Sequence, residues 1–331
     1  MSRTREVGRA FVAALAFVGW TSSALAQGAA QAYPVKPVTI YVGFPAGSSS
    51  DTTARTMAQR LTEMLGQQFV IVNRDGAAGV IAASAVAKAK PDGYTLLWVG
   101  ISAMASSPAF NRNISYDPVK DFAPISVYLY APYVMVIHPS VPAQNLKALI
   151  ALAKAQPGKL SFGSSGVAGA LHLATELMLN MSGTKMTHVP YRGTPAMMLD
   201  VISGQIDLVT TSTSLSVPHI QSGRLRAMAV TSSQRSPQLP DLPTMSEAGL
   251  PGYEVTGWYA MVAPANTPGE IVATLSRNFI KALEHPSVKA NIAQEGALPG
   301  GNTPEQFSAF IRAELEKYTR LVREARLTAE P

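Results

Sequence analysis

The chain has 331 residues, of which 47% are hydrophobic and 15% charged, and it contains no cysteine. That length exceeds the roughly 250–300 residues at which a single core stops growing, so two lobes are expected, and ordinary apolar content with sparse charge describes a packed protein. Without cysteine there are no disulfides, thiolate metal sites, iron–sulfur clusters or cysteine nucleophiles.

Residues 1–26 pass from a basic start (Arg3, Arg5, Arg9) through an apolar stretch, Ala10 to Trp20, to small residues ahead of Ala24-Leu25-Ala26. This order predicts a secretory signal cleaved after Ala26. Its apolar stretch is well short of the ~20 residues a membrane-spanning helix needs. Loss of Arg3, Arg5, Arg9 and Glu6 lowers the formal net charge from +6 to +4. Spread along the chain without a Lys/Arg run, that charge gives no clustered basic stripe, and no nucleic-acid partner is expected.

From Val38 the chain repeats strand, turn and helix. Val38 to Val42 is a β-branched run of the kind buried in parallel sheets. After the turn Gly43 to Ser50, apolar residues at 54, 57, 58, 61 and 65 fall on one helical face, and Gly66 supplies the stop. Phe69 to Val72 is the next strand, Val80 to Ala89 the next helix and Tyr94 to Val99 the third strand. A second series follows Pro142: helix Leu146 to Ala155, strand Leu160 to Phe162, helix Ala168 to Asn180, strand Thr187 to Val189, helix Pro195 to Ile202, and strands Ile206 to Thr210 and Leu225 to Val230. Alternation of this kind predicts an α/β fold with parallel strands.

The runs Tyr133 to Ile137 and Val255 to Ala263 stand between the two series and are expected to cross between lobes. Lobe 1 is then discontinuous, residues 33–134 and 256–331, and lobe 2 is 135–255. Near the end, Thr303-Pro304-Glu305-Gln306 reads as a capping-box helix start. It is followed by the apolar stripe Phe307, Phe310, Ile311, Leu315, Tyr318 and Val322, a scaffold helix.

The sharpest local signal is Gly43-Phe44-Pro45-Ala46-Gly47-Ser48-Ser49-Ser50-Asp51, a strand end passing through small residues into a helix N-terminus. Such an end presents unpaired N–H groups and about half a positive charge, so it attracts anions without Lys or Arg. The three serines add short donors, and Asp51 reads as the N-cap. A second copy, Gly163-Ser164-Ser165-Gly166-Val167-Ala168-Gly169-Ala170, precedes a helix carrying His172. One such turn per lobe would place donors on both sides of a crevice, where open α/β sheets bind ligands. Each turn alone also reads as an ordinary Gly/Ser connection.

Other signatures are missing. There is no P-loop ending, no G-x-G-x-x-G after a strand, no G-x-S-x-G elbow and no H-E-x-x-H. The five histidines lack ligand spacing, so neither a metal nor a cofactor is expected. Tyr191-Arg192-Gly193 follows a strand and could bring a guanidinium to the crevice.

Many short motifs then occur in one order. They are Tyr33-Pro34-Val35-Lys36-Pro37, Phe44-Pro45-Ala46-Gly47 with Asp51, Val72-Asn73-Arg74 with Gly76 to Gly79, Lys90-Pro91-Asp92-Gly93-Tyr94, Tyr116-Asp117-Pro118 with Asp121 to Pro124, His188 to Gly193, Asp241 to Thr244 with Glu247 to Tyr253, Trp258, and Ala263-Pro264. In this the chain resembles the Bug family, the extracytoplasmic receptors of tripartite tricarboxylate transporters, over nearly its whole mature length. The resemblance implies a periplasmic binding protein of type II, two α/β lobes with a ligand cleft between them and two crossing strands, located in the periplasm. It further implies that the turns matching Phe44 to Asp51 and Gly163 to Ala170 grip a ligand carboxylate, largely by backbone groups and ordered water. Ligands of relatives include amino acids, tricarboxylates, aromatic acids and some amides. One departure is Ser48, where the family turn usually continues with glycine; serine tolerates positive φ poorly.

The expected function is capture of a small carboxylate-type solute and its delivery to a transporter permease, by a monomer that is not an enzyme. The expected ligand-binding residues are Ala46, Gly47, Ser48, Ser49 and Asp51, with Ser102, from one lobe, and Ser165, Gly166, Ala168, Gly169 and His172, with Thr211, from the other. Two alternatives stand beside it: an exported hydrolase using Ser165 and His172, and a periplasmic sensor lobe for a membrane kinase.

Overall fold

Short β-branched runs and amphipathic helices alternate along the chain, and in the computed structural model, which describes residues 33–324 except 112, 168 and 192, they build one curled sheet with helices packed against it. The elements are β1 (Val38–Val42), α1 (Ser49–Leu65), β2 (Phe69–Asn73), α2 (Val80–Ala87), β3 (Thr95–Gly100), α3 (Ser107–Phe110), β4 (Phe122–Ile137), α4 (Leu146–Ala155), β5 (Ser161–Ser164) and α5 (Ala170–Ser182). They continue with β6 (Thr187–Pro190), α6 (Thr194–Ser203), β7 (Leu208–Ser212), α7 (Thr213–Gln221), β8 (Arg226–Val230), β9 (Thr256–Pro264), α8 (Gly269–Leu283), α9 (Pro286–Gln294), β10 (Leu298–Pro299) and α10 (Pro304–Glu324). The export segment, residues 1–26, lies outside the described residues.

The strand order is β2-β1-β3-β9-β4-β7-β5-β6, with β8 and β10 also pairing β4. β1 runs parallel to β2 and β3, and β5 parallel to β6 and β7, as alternating β and α elements require. What joins the two parallel groups is β4. It is one strand of 16 residues, where the sequence suggested only the short run Tyr133 to Ile137. Its first part, Phe122 to Pro132, pairs antiparallel with β9, and its last part, Tyr133 to Ile137, pairs with β7 and β8. β9 itself stays beside β3 and the first part of β4. The return passage is made just ahead of it, where Val255 N–H donates to Thr231 C=O at 2.8 Å and Thr256 is already in register with Pro132.

The core follows this layout. One buried cluster contains Leu97 and Trp258 from the first half of the sheet together with Phe162 and Leu208 from the second. A smaller one, with Val134, Met197, Val201 and Val209, lies within the second half alone. In the first half, Trp98 packs edge-on to Tyr128 with ring centroids 5.1 Å apart. α10 starts with the expected capping box, Thr303 N–H donating to Gln306 Oε1 and Gln306 N–H to Thr303 Oγ1, and it buries Phe307, Ile311, Tyr318 and Leu321. α7 has no counterpart in the sequence reading, because Pro218 and a run of hydroxyl residues mask its periodicity. Nor do α8 and α9, whose stretch the sequence reading left without elements.

Candidate functional site

The first turn leaves β1 at Val42 and enters α1 at Ser49. Gly43 is pressed against a second loop: a Cβ there would lie 2.5 Å from Gly79 Cα, so the approach requires glycine. Ser48 caps α1, its Oγ accepting from Asp51 N–H at 3.3 Å. This corrects the sequence expectation that Asp51 is the N-cap. Asp51 is the third helical residue, and its carboxylate reaches back to accept from Gly47 N–H and from Arg55 Nε, each at 2.9 Å, and from Asn73 Nδ2 at 2.8 Å. Burial pushes this carboxyl up, but the hydrogen bonds from Arg55, Gly47 and Asn73 outweigh it and hold it below the usual carboxylate range. Asp51 therefore holds the turn's shape, with both oxygens engaged inside it.

The positive φ, +80°, falls on Gly47, while Ser48 sits at φ −70°, so the serine that departs from the family pattern carries no backbone strain. Ala46 and Gly47 are exposed, and Ser48 and Ser49 are half-buried. The amides of Ser49 and Ser50, the first two helical positions, have no acceptor among the described residues. The Ser49 hydroxyl donates to Glu295 Oε2 at 2.7 Å. Burial, opposed by the neighbouring Ser49 hydroxyl and reinforced by the charge of Glu295, holds the Tyr259 phenol above its ordinary range.

The second turn is built differently. Ser164 is fully buried, and its Oγ meets His188 Nε2 at 2.7 Å, donates to Gly166 C=O at 3.0 Å and accepts from Gly166 N–H at 3.3 Å. Gly166 takes φ +142°. α5 is capped by Gly169, which has no side chain to satisfy the helix amides, so among the described residues those of Ala170 and Leu171 keep an open N-terminal pole. The His172 ring points into the interior. It is 4% exposed, lies 4.0 Å from the His188 ring in a stack completed by Phe162, and its Nε2 is 3.5 Å from Glu176 Oε1. Burial, helped by the charge of His172, pushes His188 down to about 4. In this turn the serine that meets a histidine is thus the enclosed Ser164, with His188, and the Ser165 and His172 pairing of the hydrolase alternative is replaced by a packed scaffold. Ser165, Gly166 and Gly169 are half-buried, and Ala168 and Arg192 lie outside the described residues.

Ser102 follows β3 and is half-buried. Thr211, on β7, is fully buried with its hydroxyl unpartnered, and so are the hydroxyls of Thr213 and Ser216 at the start of α7. A third N-terminal pole therefore adjoins Thr211, its cap Ser212 giving no side-chain bond to the helix amides. Against it sits Gly296, at φ +65°, where a Cβ would come within 2.7 Å of Thr213 Oγ1 and 2.4 Å of Gln238 Oε1. Gln238 Nε2 donates to Ala293 C=O at 3.5 Å. The C-terminal end of α9 thus touches α1 through Glu295 and α7 through Gly296, joining the two halves of the sheet. Tyr259, Glu295, Gly296, Thr213 and Gln238 were missed by sequence reasoning. Only the hydroxyl run Ser212-Thr213-Ser214 behind a strand carried a signal, that of the other two turns. Among the described residues, no group of three His, Asp or Glu side chains could hold a metal ion.

Two α/β lobes joined through a long shared strand, with helix N-termini opening at the strand ends, define a periplasmic binding protein of type II. Residues 53–327 match the tripartite tricarboxylate transporter family receptor, TctC, and the chain belongs to that family. It is 37% identical over 305 residues to Protein BugT of Bordetella pertussis, covering 92% of this chain and 94% of that protein. It superposes on R. palustris Rpa4515 with adipate with a TM-score of 0.79 at 37% identity, covering 89% of this chain and 98% of that one. MatC from Rhodopseudomonas palustris with bound malate gives a TM-score of 0.76 at 29% identity, covering 88% and 100%. Members of this family are periplasmic solute-binding receptors, and no helix among the described residues is long and apolar enough to cross a membrane.

Proposed function

We propose that the chain is exported, loses its signal after Ala26, and captures a small carboxylate solute between lobe 1 (33–134 and 256–331) and lobe 2 (135–255) for delivery to the permease of a tripartite tricarboxylate transporter. It acts without turning the solute over. The observation that carries this reading is the uncapped N-terminus of α5 behind Gly169, matched across the sheet by the free amides of Ser49 and Ser50. Two amide-lined poles offer an anion hydrogen bonds and favourable helix dipoles without a buried cation.

The contacts fall to Ala46, Gly47, Ser48 and Ser49 of the first turn, Ser165, Gly166, Ala168 and Gly169 of the second, with His172 beneath them, and Ser102 and Thr211 at neighbouring strand ends. Asp51 acts by shaping the first turn. Bound adipate and malate in two structures of this fold support a carboxylate. Closure follows because the bound anion contacts both lobes and so favours the closed state over the open one.

Native mass spectrometry of the mature protein, purified without denaturation, tests this directly: a co-purified solute bearing a carboxylate is expected. Saturating that solute at about 100 times its Kd stabilises the fold by ~2.7 kcal/mol. A flat thermal-shift response across carboxylates, or chemical conversion of the bound compound, overturns the reading.

A further inference from the structure

Hydrogen-bond donors dominate the three helix N-termini, but the segment that joins two of them is an acceptor. Glu295 ends α9, with its carboxylate on the Ser49 hydroxyl at 2.7 Å, and among the described residues it has no ion-pair partner. Arg55, a cation beside the first turn, is bound to Asp51 and Asn73. Glu295 also closes the C-terminal end of α9, where the helix dipole adds partial negative charge. One residue on, beside Gly296, the buried Gln238 Oε1 is a further acceptor with no donor. Carboxylate, helix C-terminus and amide oxygen thus form one acceptor pole between the α1 and α7 N-termini.

We infer that Glu295 is a specificity-determining residue, selecting solutes whose carboxylate is accompanied by an ammonium or amide N–H over solutes with carboxylates alone. This rests on the carboxylate-receptor reading above. A lone carboxylate satisfies the amides but leaves the acceptor pole unfilled and brings like charge toward Glu295. Two like charges a few ångströms apart repel several-fold more strongly at the effective dielectric of a protein surface than in water. An ammonium in the same place reverses that sign, and a buried acceptor that gains a donor loses its desolvation penalty.

The test uses the mature full-length chain and matched probes differing only by an α-amino group: succinate against aspartate, glutarate against glutamate, adipate against 2-aminoadipate, and pentanoate against norvaline. Calorimetry on the wild type is expected to find at least one pair bound, with the amino member tighter by about tenfold or more. Glu295→Gln keeps the shape and the Ser49 acceptor but removes the charge, and it should shrink that ratio by about tenfold. Glu295→Asp, which keeps the charge, should retain the preference and serves if the glutamine variant fails to fold. Three results overturn the inference while leaving the receptor intact. They are plain carboxylates bound as tightly as their amino partners, a ratio unchanged in Glu295→Gln, or an equal gain for both members. Binding by no member of any pair to either protein, together with a co-purified solute lacking a carboxylate, overturns the carboxylate-receptor reading itself.

Discussion

The turn entering α1 and the turn entering α5 have similar compositions but are held by different means. In the first, side chains do the holding. Ser48 caps the helix, and Asp51 gathers Gly47, Arg55 and Asn73, so of the first-turn amides of α1 those of Ser49 and Ser50 remain open among the described residues. In the second, the restraint lies beneath the turn, in Ser164 bound to His188 on the Phe162 and His172 stack, and the helix end is left uncapped above it. A run of Gly and Ser can therefore mean a satisfied helix end or an open one, and what decides is where the nearest acceptor side chain sits.

This contrast yields tests of decreasing size. Asp51→Ala removes the acceptor of three donors, one of them a backbone N–H, and is expected to cost about 2–4 kcal/mol in chemical denaturation and to abolish solute binding. If binding survived at full strength, the first turn would not be part of the site. Ser164→Ala strands His188 and Gly166 N–H and should cost about 1–3 kcal/mol, with weaker binding through a loosened second turn.

Acid should separate the two turns. His188 is held at about 4 against an ordinary 6.5 by burial and by His172. Over that interval the unfolded chain takes up a proton that the folded chain refuses, so this contribution to stability is full above pH 6.5, falls as pH drops, and is gone below about 4. Asp51 works in a lower window. Its stabilisation is present above the unfolded value of 3.8 and is lost as pH falls through its depressed folded value. Denaturation measured from pH 7 to 3 should therefore flatten between 6.5 and 4 in His188→Asn but not in Asp51→Asn.

The smallest effect is the most diagnostic. Gly169→Asp supplies the missing cap at a backbone of φ −66°, ψ 160°, which any residue can adopt. It should stabilise the protein by a few tenths to about 1 kcal/mol while weakening carboxylate binding, since the new side chain competes for the same amides. Unchanged affinity would show that solutes do not use the α5 amides.

Local features were legible in the sequence wherever neighbouring residues settle them. The capping box of Thr303 and Gln306, the stop at Gly66 and the parallel strands at 38–42 and 69–73 are local in this sense. Asp51 was misjudged by a few residues of helix geometry: a carboxylate at the third helical position and one at the cap read alike until Ser48 is seen in the cap. α7 was hidden by Pro218, and β4 ran longer than its apolar run suggested because the stretch before it, which carries Pro124 and Pro132, pairs with β9 all the same.

By itself the sequence determined an α/β protein with two anion-suited turns and the ordered motifs of a receptor family, because turn chemistry and periodicity act within a few residues. Only the tertiary structure decided that Ser49 meets Glu295, 246 positions away, and that Gly296 closes on Thr213 and Gln238. Those meetings depend on β4 running through both halves of the sheet and on the register of β9 beside it, which no local stretch of sequence encodes.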